Sequence, residues 1–169
     1  MADNALLKIS ETLGSALKQR RLMLVLAESC TGGMVAQAVT SVAGSSAWFD
    51  RGFVTYSNTA KIEMLGVSSK TLETFGAVSE ETAAEMALGA LKTCALKNDH
   101  AHIAGSITGI AGPDGGTPEK PVGMVCLAWA GHGLPVSTIT KHFQGDRHEI
   151  RQQATIVLMA GIIDRLNTA

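Results

Sequence analysis

An unbroken apolar run, LMLVLA at residues 22–27, leads directly into the turn-like segment ESCTGG and then into a stretch with helical periodicity. The run has the length of a strand and contains no polar residue, which is typical of a buried strand. Glycines and small side chains then permit a tight turn before a helix predicted over residues 31–42. A buried strand followed by a turn and a helix favours the α/β class of folds.

The remaining segments continue this alternation of strands and helices. Ser79 followed by two glutamates predicts a helix N-terminus, and Asp146 with Glu149 resembles a capping box. The other predicted elements, in chain order, are helix 3–19, strand 51–56, a short helix ended by Gly66, helix 80–95, strand 102–107, a hairpin of strands 122–129 and 136–143, and a last helix to residue 166. We therefore expect a single domain, residues 1–169, folded as a three-layer α/β/α sandwich with a mixed sheet.

Composition and charge exclude several classes of protein. Apolar residues make up 46% of the chain and charged residues 17%, as in a packed globular protein. A net charge of -1 without lysine or arginine runs gives no electrostatic footprint for nucleic acid. The apolar stretches are far shorter than the roughly 20 residues of a membrane span. These properties predict a small-molecule partner, with no nucleic acid and no membrane.

Cysteine usage and the N-terminal segment indicate the compartment. Cys30, Cys94 and Cys126 are an odd number of cysteines at long spacings, which favours reduced thiols. No cluster of histidine, cysteine and carboxylate has metal-ligand spacing, so no metal is predicted. The first residues lack the basic start, apolar core and cleavage site of a secretory signal. We expect a cytoplasmic protein.

Two loops rich in small residues follow predicted strands, at residues 27–33 and 108–123. Ligands of open α/β sheets bind outside the carboxyl ends of the strands, where such loops lie. Ser29 is the best-placed hydroxyl because it stands between strand and helix, as in a nucleophile elbow. A serine at this position is equally well explained as a helix N-cap. The glycine spacing matches neither a Walker loop nor a Rossmann fingerprint.

A nucleophilic serine needs a base, and the five histidines all lie far along the chain from Ser29. Lys61 is an alternative base, since it follows Tyr56 by five residues in a locally apolar segment. Burial there would lower the lysine pKa, and the tyrosine hydroxyl could relay a proton. A solvated surface lysine is the simpler interpretation. Cys30 is either a second candidate nucleophile or a small buried side chain, and Arg147 either an anion ligand or a surface ion pair.

Five blocks of the sequence together carry a resemblance to a known family. They are AESCTGG (27–33), GSSAWFDRGFVTYSN (44–58), GAVSEETA (76–83), TGIAGPDGGTPEKPVG (108–123) and GDRHEIRQQA (145–154). Their order and content resemble the nicotinamide-nucleotide amidases, or NMN deamidases, of the CinA C-terminal domain family. The resemblance covers about residues 5–165, and the chain length is similar to the stand-alone form of these bacterial enzymes.

The resemblance implies an activity and a site. The expected reaction is hydrolysis of the carboxamide of nicotinamide mononucleotide to nicotinic acid mononucleotide and ammonia, in pyridine-nucleotide salvage. It also implies a three-layer α/β/α fold, no cofactor or required metal, and a homodimer. The family's catalytic serine, tyrosine and lysine fall on Ser29, Tyr56 and Lys61.

On this interpretation Lys61, with Tyr56 as relay, deprotonates Ser29, and backbone amides of residues 30–33 stabilise the oxyanion. The residues expected to bind substrate are Cys30, Thr31, Gly32, Gly33, Asn58, Thr108, Gly109, Gly112 and Arg147. Two alternatives stay open. One is a non-catalytic nucleotide-binding or regulatory domain, and the other is a different small-amide or nucleotide hydrolase that uses the same serine.

Overall fold

A computed structural model describes residues 2–94, 102–131 and 133–168 of the chain. The helices within these ranges are α1 (Ala2–Arg20), α2 (Met34–Thr40), α3 (Asn58–Leu65), α4 (Ser69–Phe75), α5 (Glu80–Cys94) and α6 (Arg147–Thr168), with a 3₁₀ turn at Ser45–Ala47. The strands are β1 (Met23–Glu28), β2 (Phe49–Val54), β3 (His102–Gly109), β4 (Met124–Gly131) and β5 (Leu134–His142).

The strands form one mixed sheet in the order β2-β1-β3-β4-β5. Strand β1 pairs in parallel with both β2 and β3, whereas β3, β4 and β5 are antiparallel neighbours. Glu28 lies opposite Val54 on one side and Ile107 on the other. The carboxyl ends of β1, β2 and β3 therefore meet at one edge of the sheet, directly before the turn that contains Ser29.

Alternate residues of β1 belong to two separate hydrophobic cores. Leu24 and Leu26 pack with helices α1, α2 and α6, while Val25 and Ala27 pack with α3, α4 and α5. Both faces of a strand with an entirely apolar sequence are thus covered, as the run at residues 22–27 predicts. This arrangement confirms the predicted three-layer α/β/α class with a mixed sheet.

Most predicted elements are present, with shifts of a few residues at their ends. Gly66 ends α3 in the left-handed conformation at φ 68°. The capping box opens α6, since the Glu149 N–H donates to Asp146 Oδ1 and the Asp146 N–H donates to Glu149 Oε2. The predicted end of α5 at residue 95 lies outside the described residues.

Two predictions need correction. Helix α2 begins at Met34 instead of residue 31, because the segment after Ser29 forms a turn with Gly32 and Gly33 at positive φ. Helix α4 was not predicted, since its seven residues include a single buried apolar side chain, Leu72, and give too weak a periodic pattern. Among the described helices, none combines the length and the apolar character that a membrane crossing requires.

Candidate active site

Ser29 is the first residue after β1 and lies buried at the sheet edge. Its backbone N–H donates to the Ile107 carbonyl of β3, at 2.9 Å, and its carbonyl accepts from the Gly32 N–H, at 3.0 Å. The first bond continues the sheet and the second closes a tight turn. The serine is therefore held by β3 on one side and by the turn on the other.

Lys61 lies in the first turn of α3 and is fully buried, with 1% of its surface exposed. Helix α3 begins at Asn58 because the hydroxyl of the preceding Ser57 caps the helix by accepting from the Ala60 N–H. Lys61 Nζ lies 3.0 Å from Ser29 Oγ. The same amine donates to the backbone carbonyls of Thr55, at 2.9 Å, and Tyr56, at 3.4 Å. The structure thus places the amine of the predicted base within hydrogen-bond distance of the hydroxyl of the predicted nucleophile.

These three contacts fit either form of the amine, since an ammonium can donate to all three oxygens and a neutral amine can donate to the carbonyls and accept from the hydroxyl. A neutral lysine has two N–H donors and one lone pair, and the two carbonyls can only accept. The lone pair is then left for the Ser29 hydroxyl. Within the described ranges no carboxylate lies within ion-pair distance of Nζ. Burial lowers the pKa of Lys61, although the negative thiolate form of Cys30 would oppose this shift.

Cys30 does not share the reactivity of its neighbour. Burial raises the pKa of the Cys30 thiol to about 12, and the charge of Glu28 acts in the same direction. The helix that would lower this pKa begins only at Met34. The thiol therefore stays protonated at neutral pH, which favours the interpretation of Cys30 as a small packed side chain. Cys94 and Cys126 are also buried and free.

Glu28 supplies an interaction that the sequence did not reveal. Its buried carboxylate accepts from the Thr31 hydroxyl (2.7 Å) and from the backbone N–H groups of Gly33 (3.1 Å), Val35 (3.1 Å) and Ala36 (2.9 Å). Helix α2 is thus capped by a residue that precedes it by six positions. A buried acid at the end of an apolar strand is the signal that could have marked Glu28.

The hydrogen bonds of Glu28 reduce the number of backbone N–H groups that can donate to an oxyanion. The Gly33 N–H is taken by Glu28, and the Gly32 N–H is taken by the Ser29 carbonyl. Among the described residues, no backbone carbonyl accepts from the N–H groups of Cys30 and Thr31. Thr31 is fully buried, so the expected four donors of residues 30–33 are reduced to one, the N–H of Cys30.

A cavity of about 270 Å³ opens at the carboxyl ends of β1 and β3. The sequence-predicted residues that line it are Ser29, Cys30, Tyr56, Lys61, Thr108, Gly109, Gly112 and Arg147. Ala77, Val78, Ile110, Ala111, Asp114 and Gly115 also line it and were not predicted. Four predicted residues are not part of this lining: Asn58, which is exposed at the start of α3, and Thr31, Gly32 and Gly33 of the turn after Ser29.

Arg147 joins the two loops at the mouth of the cavity. Its guanidinium donates to the Gly112 carbonyl, at 2.6 Å, and to the Tyr56 hydroxyl, at 3.0 Å. The Tyr56 side chain is 61% exposed and meets Lys61 only through its backbone carbonyl. Thr108, whose hydroxyl donates to the Ala77 carbonyl at 2.7 Å, offers mainly its backbone to the cavity.

One group of possible metal ligands lies at the opposite end of the sheet. Asp50, Cys94 and His102 place their ligand atoms within 4.8 Å of one another, although their positions in the sequence gave no metal-ligand spacing. Asp50 Oδ2 lies 2.9 Å from His102 Nε2 and 3.3 Å from Arg51 Nε. This network already satisfies the Asp50 carboxylate without an ion, and Arg51 would repel a cation.

Fold and site together define an α/β protein that carries a buried serine–lysine pair at the carboxyl ends of its parallel strands. The chain belongs to the CinA C-terminal domain family, whose profile matches residues 6–166.

Relatives and solved structures agree with this assignment. The chain is 53% identical over 156 residues to the nicotinamide-nucleotide amidohydrolase PncC of Enterobacter agglomerans, covering 92% of each chain. It is 54% identical to the Escherichia coli K12 protein of the same name, covering 92% of this chain and 91% of the relative. The crystal structure of the competence/damage inducible protein CihA from Agrobacterium tumefaciens is 44% identical and superposes with a TM-score of 0.88, covering 96% of each chain.

Proposed function

We propose that this protein hydrolyses the carboxamide of nicotinamide mononucleotide, releasing nicotinic acid mononucleotide and ammonia, in pyridine-nucleotide salvage. The observation that carries the proposal is the 3.0 Å contact between Lys61 Nζ and Ser29 Oγ inside a buried site. The names of the relatives, which are nicotinamide-nucleotide amidohydrolases, supply the substrate.

The first half of the reaction forms an acyl-enzyme. Neutral Lys61 takes the hydroxyl proton of Ser29 as Oγ attacks the carboxamide carbon. The N–H of Cys30, which lines the cavity, donates to the resulting oxyanion, and such a donor is worth about a hundredfold or more in rate. The Lys61 ammonium then returns the proton to the amide nitrogen as the C–N bond breaks, so that ammonia leaves.

The second half releases the acid. Water attacks the acyl-serine ester while Lys61 again accepts a proton, and the ammonium then returns that proton to Ser29 Oγ. A single base thus serves both steps, because the two carbonyl contacts of Nζ keep its lone pair on the same side.

Direct transfer makes a tyrosine relay unnecessary in this scheme. The Tyr56 hydroxyl accepts from Arg147, so we assign Tyr56 to the substrate site together with that arginine. Arg147 is the basic group proposed for the substrate phosphate, with Thr108, Gly109 and Gly112 as backbone contacts from the neighbouring loop. Asn58 is omitted because it lies outside the cavity lining.

Location and assembly are proposed on separate grounds. The free thiols of Cys30, Cys94 and Cys126 suit a reducing compartment, which supports a cytoplasmic protein. The family resemblance supports a homodimer, which light scattering coupled to size exclusion would measure.

The test is ammonia release from the purified protein without added metal, with nicotinamide mononucleotide, free nicotinamide and NAD as substrates. We expect turnover of the mononucleotide, and loss of turnover in Ser29→Ala and Lys61→Ala with the fold retained by circular dichroism. Tyr56→Phe should mainly raise KM, because it removes an Arg147 partner and keeps the serine–lysine pair. Binding of the mononucleotide without turnover would instead support a regulatory domain.

A further inference from the structure

Glu28 fixes the turn on which the nucleophile stands. It is the last residue of β1, it is 1% exposed, and its backbone carbonyl accepts from the Thr55 N–H of the neighbouring segment, at 2.8 Å. One end of this residue is thus anchored in the sheet. The carboxylate at the other end binds the turn and the first residues of α2.

All four side-chain partners of Glu28 are donors, and a carboxylate is a pure acceptor. Oε2 accepts from the Thr31 hydroxyl and from two backbone N–H groups, while Oε1 accepts from the third. Charge-assisted bonds of this kind are stronger than neutral ones, and the N-terminus of a helix favours a negative charge. Within the described part of the chain no other side chain caps α2, since Gly33 occupies the N-cap position.

The same bonds decide which backbone donors stay available beside Ser29. Glu28 occupies the N–H of Gly33, and the turn closes on the N–H of Gly32. The Cys30 amide, between them and Ser29, is the one assigned above to the oxyanion. Because Glu28 holds the Thr31 side chain, it also restricts the turn whose Cys30 N–H must point at the oxyanion oxygen.

We propose that Glu28 is a positioning residue, which aligns Ser29 and the Cys30 amide with Lys61 by capping α2 from the preceding strand. This inference rests on the proposed serine–lysine function. It goes beyond that function because Glu28 touches neither the substrate nor the reacting atoms.

Glu28→Gln tests the inference with nearly unchanged volume. The glutamine amide nitrogen must face at least one backbone N–H, whichever way the side chain turns, so the turn shifts. A small misplacement of reacting groups costs about a hundredfold in rate. We expect kcat to fall by about that factor, with KM changed little and the acid limb of the pH profile unmoved.

Glu85→Gln is the matched control. Glu85 also accepts from a backbone N–H and a threonine hydroxyl at a helix start, those of Ser68 and Thr71, but lies outside the cavity lining. Its loss should lower the melting temperature and leave kcat unchanged. If Glu28→Gln does not fold, Thr31→Val replaces it, because this variant removes one donor and keeps the three backbone bonds. We expect a smaller fall in kcat from Thr31→Val, again without a change in KM.

A second readout separates this inference from the proposed substrate. The rate at which a fluorophosphonate labels Ser29 depends on the base and the oxyanion donors but not on a pyridine nucleotide. If the wild type labels but does not deamidate, the proposed function fails, and slower labelling of Glu28→Gln still supports the inference. The inference would be overturned if the folded Glu28 and Thr31 variants had wild-type kcat and labelling rates. It would also be overturned if their losses of kcat equalled the unfolded fraction of the protein. A wild type that is not labelled at Ser29 overturns it as well.

Discussion

At the scale of single residues, the site depends on a lysine that is removed from solvent and, among the described residues, has no carboxylate within ion-pair distance. In the same part of the chain, Nζ of Lys61 contacts only a hydroxyl and two carbonyls, each of which is compatible with a neutral amine. A histidine would be neutral at pH 7 without help. A lysine reaches that state through burial, which is why α3 has to bring Lys61 completely inside.

The pH dependence of activity should reveal this state. Because burial lowers the pKa of Lys61, the reactive neutral form exists above that lowered pKa and is lost as the pH falls through it. We expect kcat/KM to rise with pH and to level off at a pH below about 10.4, the ordinary pKa of a lysine side chain. A pH–rate profile measured from acid to alkaline buffer checks this, and a rise that continues to the ordinary lysine pKa would contradict it.

The sequence predicted residues whose role depends on their position after a strand, and it did not predict residues whose role depends on burial in the folded protein. Ser29 was expected at the strand end, and Lys61 was a candidate base from its own sequence context before the family resemblance favoured it. Glu28 was missed because a helix cap normally comes from the N-cap position itself, not from the preceding strand. Of the two interpretations of Cys30, the small buried side chain is favoured over the nucleophile, since burial raises the thiol pKa and α2 starts only four residues later.

At the scale of elements, the position of Lys61 depends on how closely α3 approaches α5. Gly89 of α5 makes this approach possible, because a Cβ atom there would lie 1.9 Å from the Leu65 carbonyl oxygen at the end of α3. The backbone of one helix thus rests directly on the other. Any side chain at residue 89 must push the end of α3 away from α5, and Lys61 belongs to the same short helix.

Gly89→Ala should therefore destabilise the protein although alanine is the better helix former. Helix propensity alone would add about 1 kcal/mol of stability. Overpacking of a tight contact costs about 1–3 kcal/mol, and we expect this cost to prevail. Chemical denaturation measures the change in the free energy of unfolding, and ammonia release should fall in parallel.

The control for this prediction is Leu88→Ala on the exposed side of the same helix. Leu88 is 40% exposed, so its truncation should change both stability and activity little. A Gly89→Ala variant as stable as the wild type would show that α3 can move without cost.

Elements were predictable where a strong pattern or a specific cap marked them. The capping box of α6 and the glycine that ends α3 were read correctly from their residue types. Helix α4 and the late start of α2 were not, because a seven-residue helix offers few periodic positions and a glycine pair hides where a turn becomes a helix.

At the scale of the whole molecule, the three layers explain why chemistry collects at one edge. Strand β1 has parallel neighbours on both sides, so the loops after β1, β2 and β3 converge. They bring together Ser29, Tyr56 and the lining of the cavity, while α6 adds Arg147 from the far end of the chain. The fold class could be predicted from alternating patterns, but this convergence needed the order of the strands.

The central claim is that Lys61 activates Ser29 as a nucleophile, and mapping of a covalent label tests it most directly. The protein is treated with a fluorophosphonate, digested, and the modified peptide sequenced by mass spectrometry. The account predicts modification at Ser29 in the wild type and in Tyr56→Phe, and none in Lys61→Ala. Modification of another residue, or equal labelling of Ser29 when Lys61 is replaced, would contradict it.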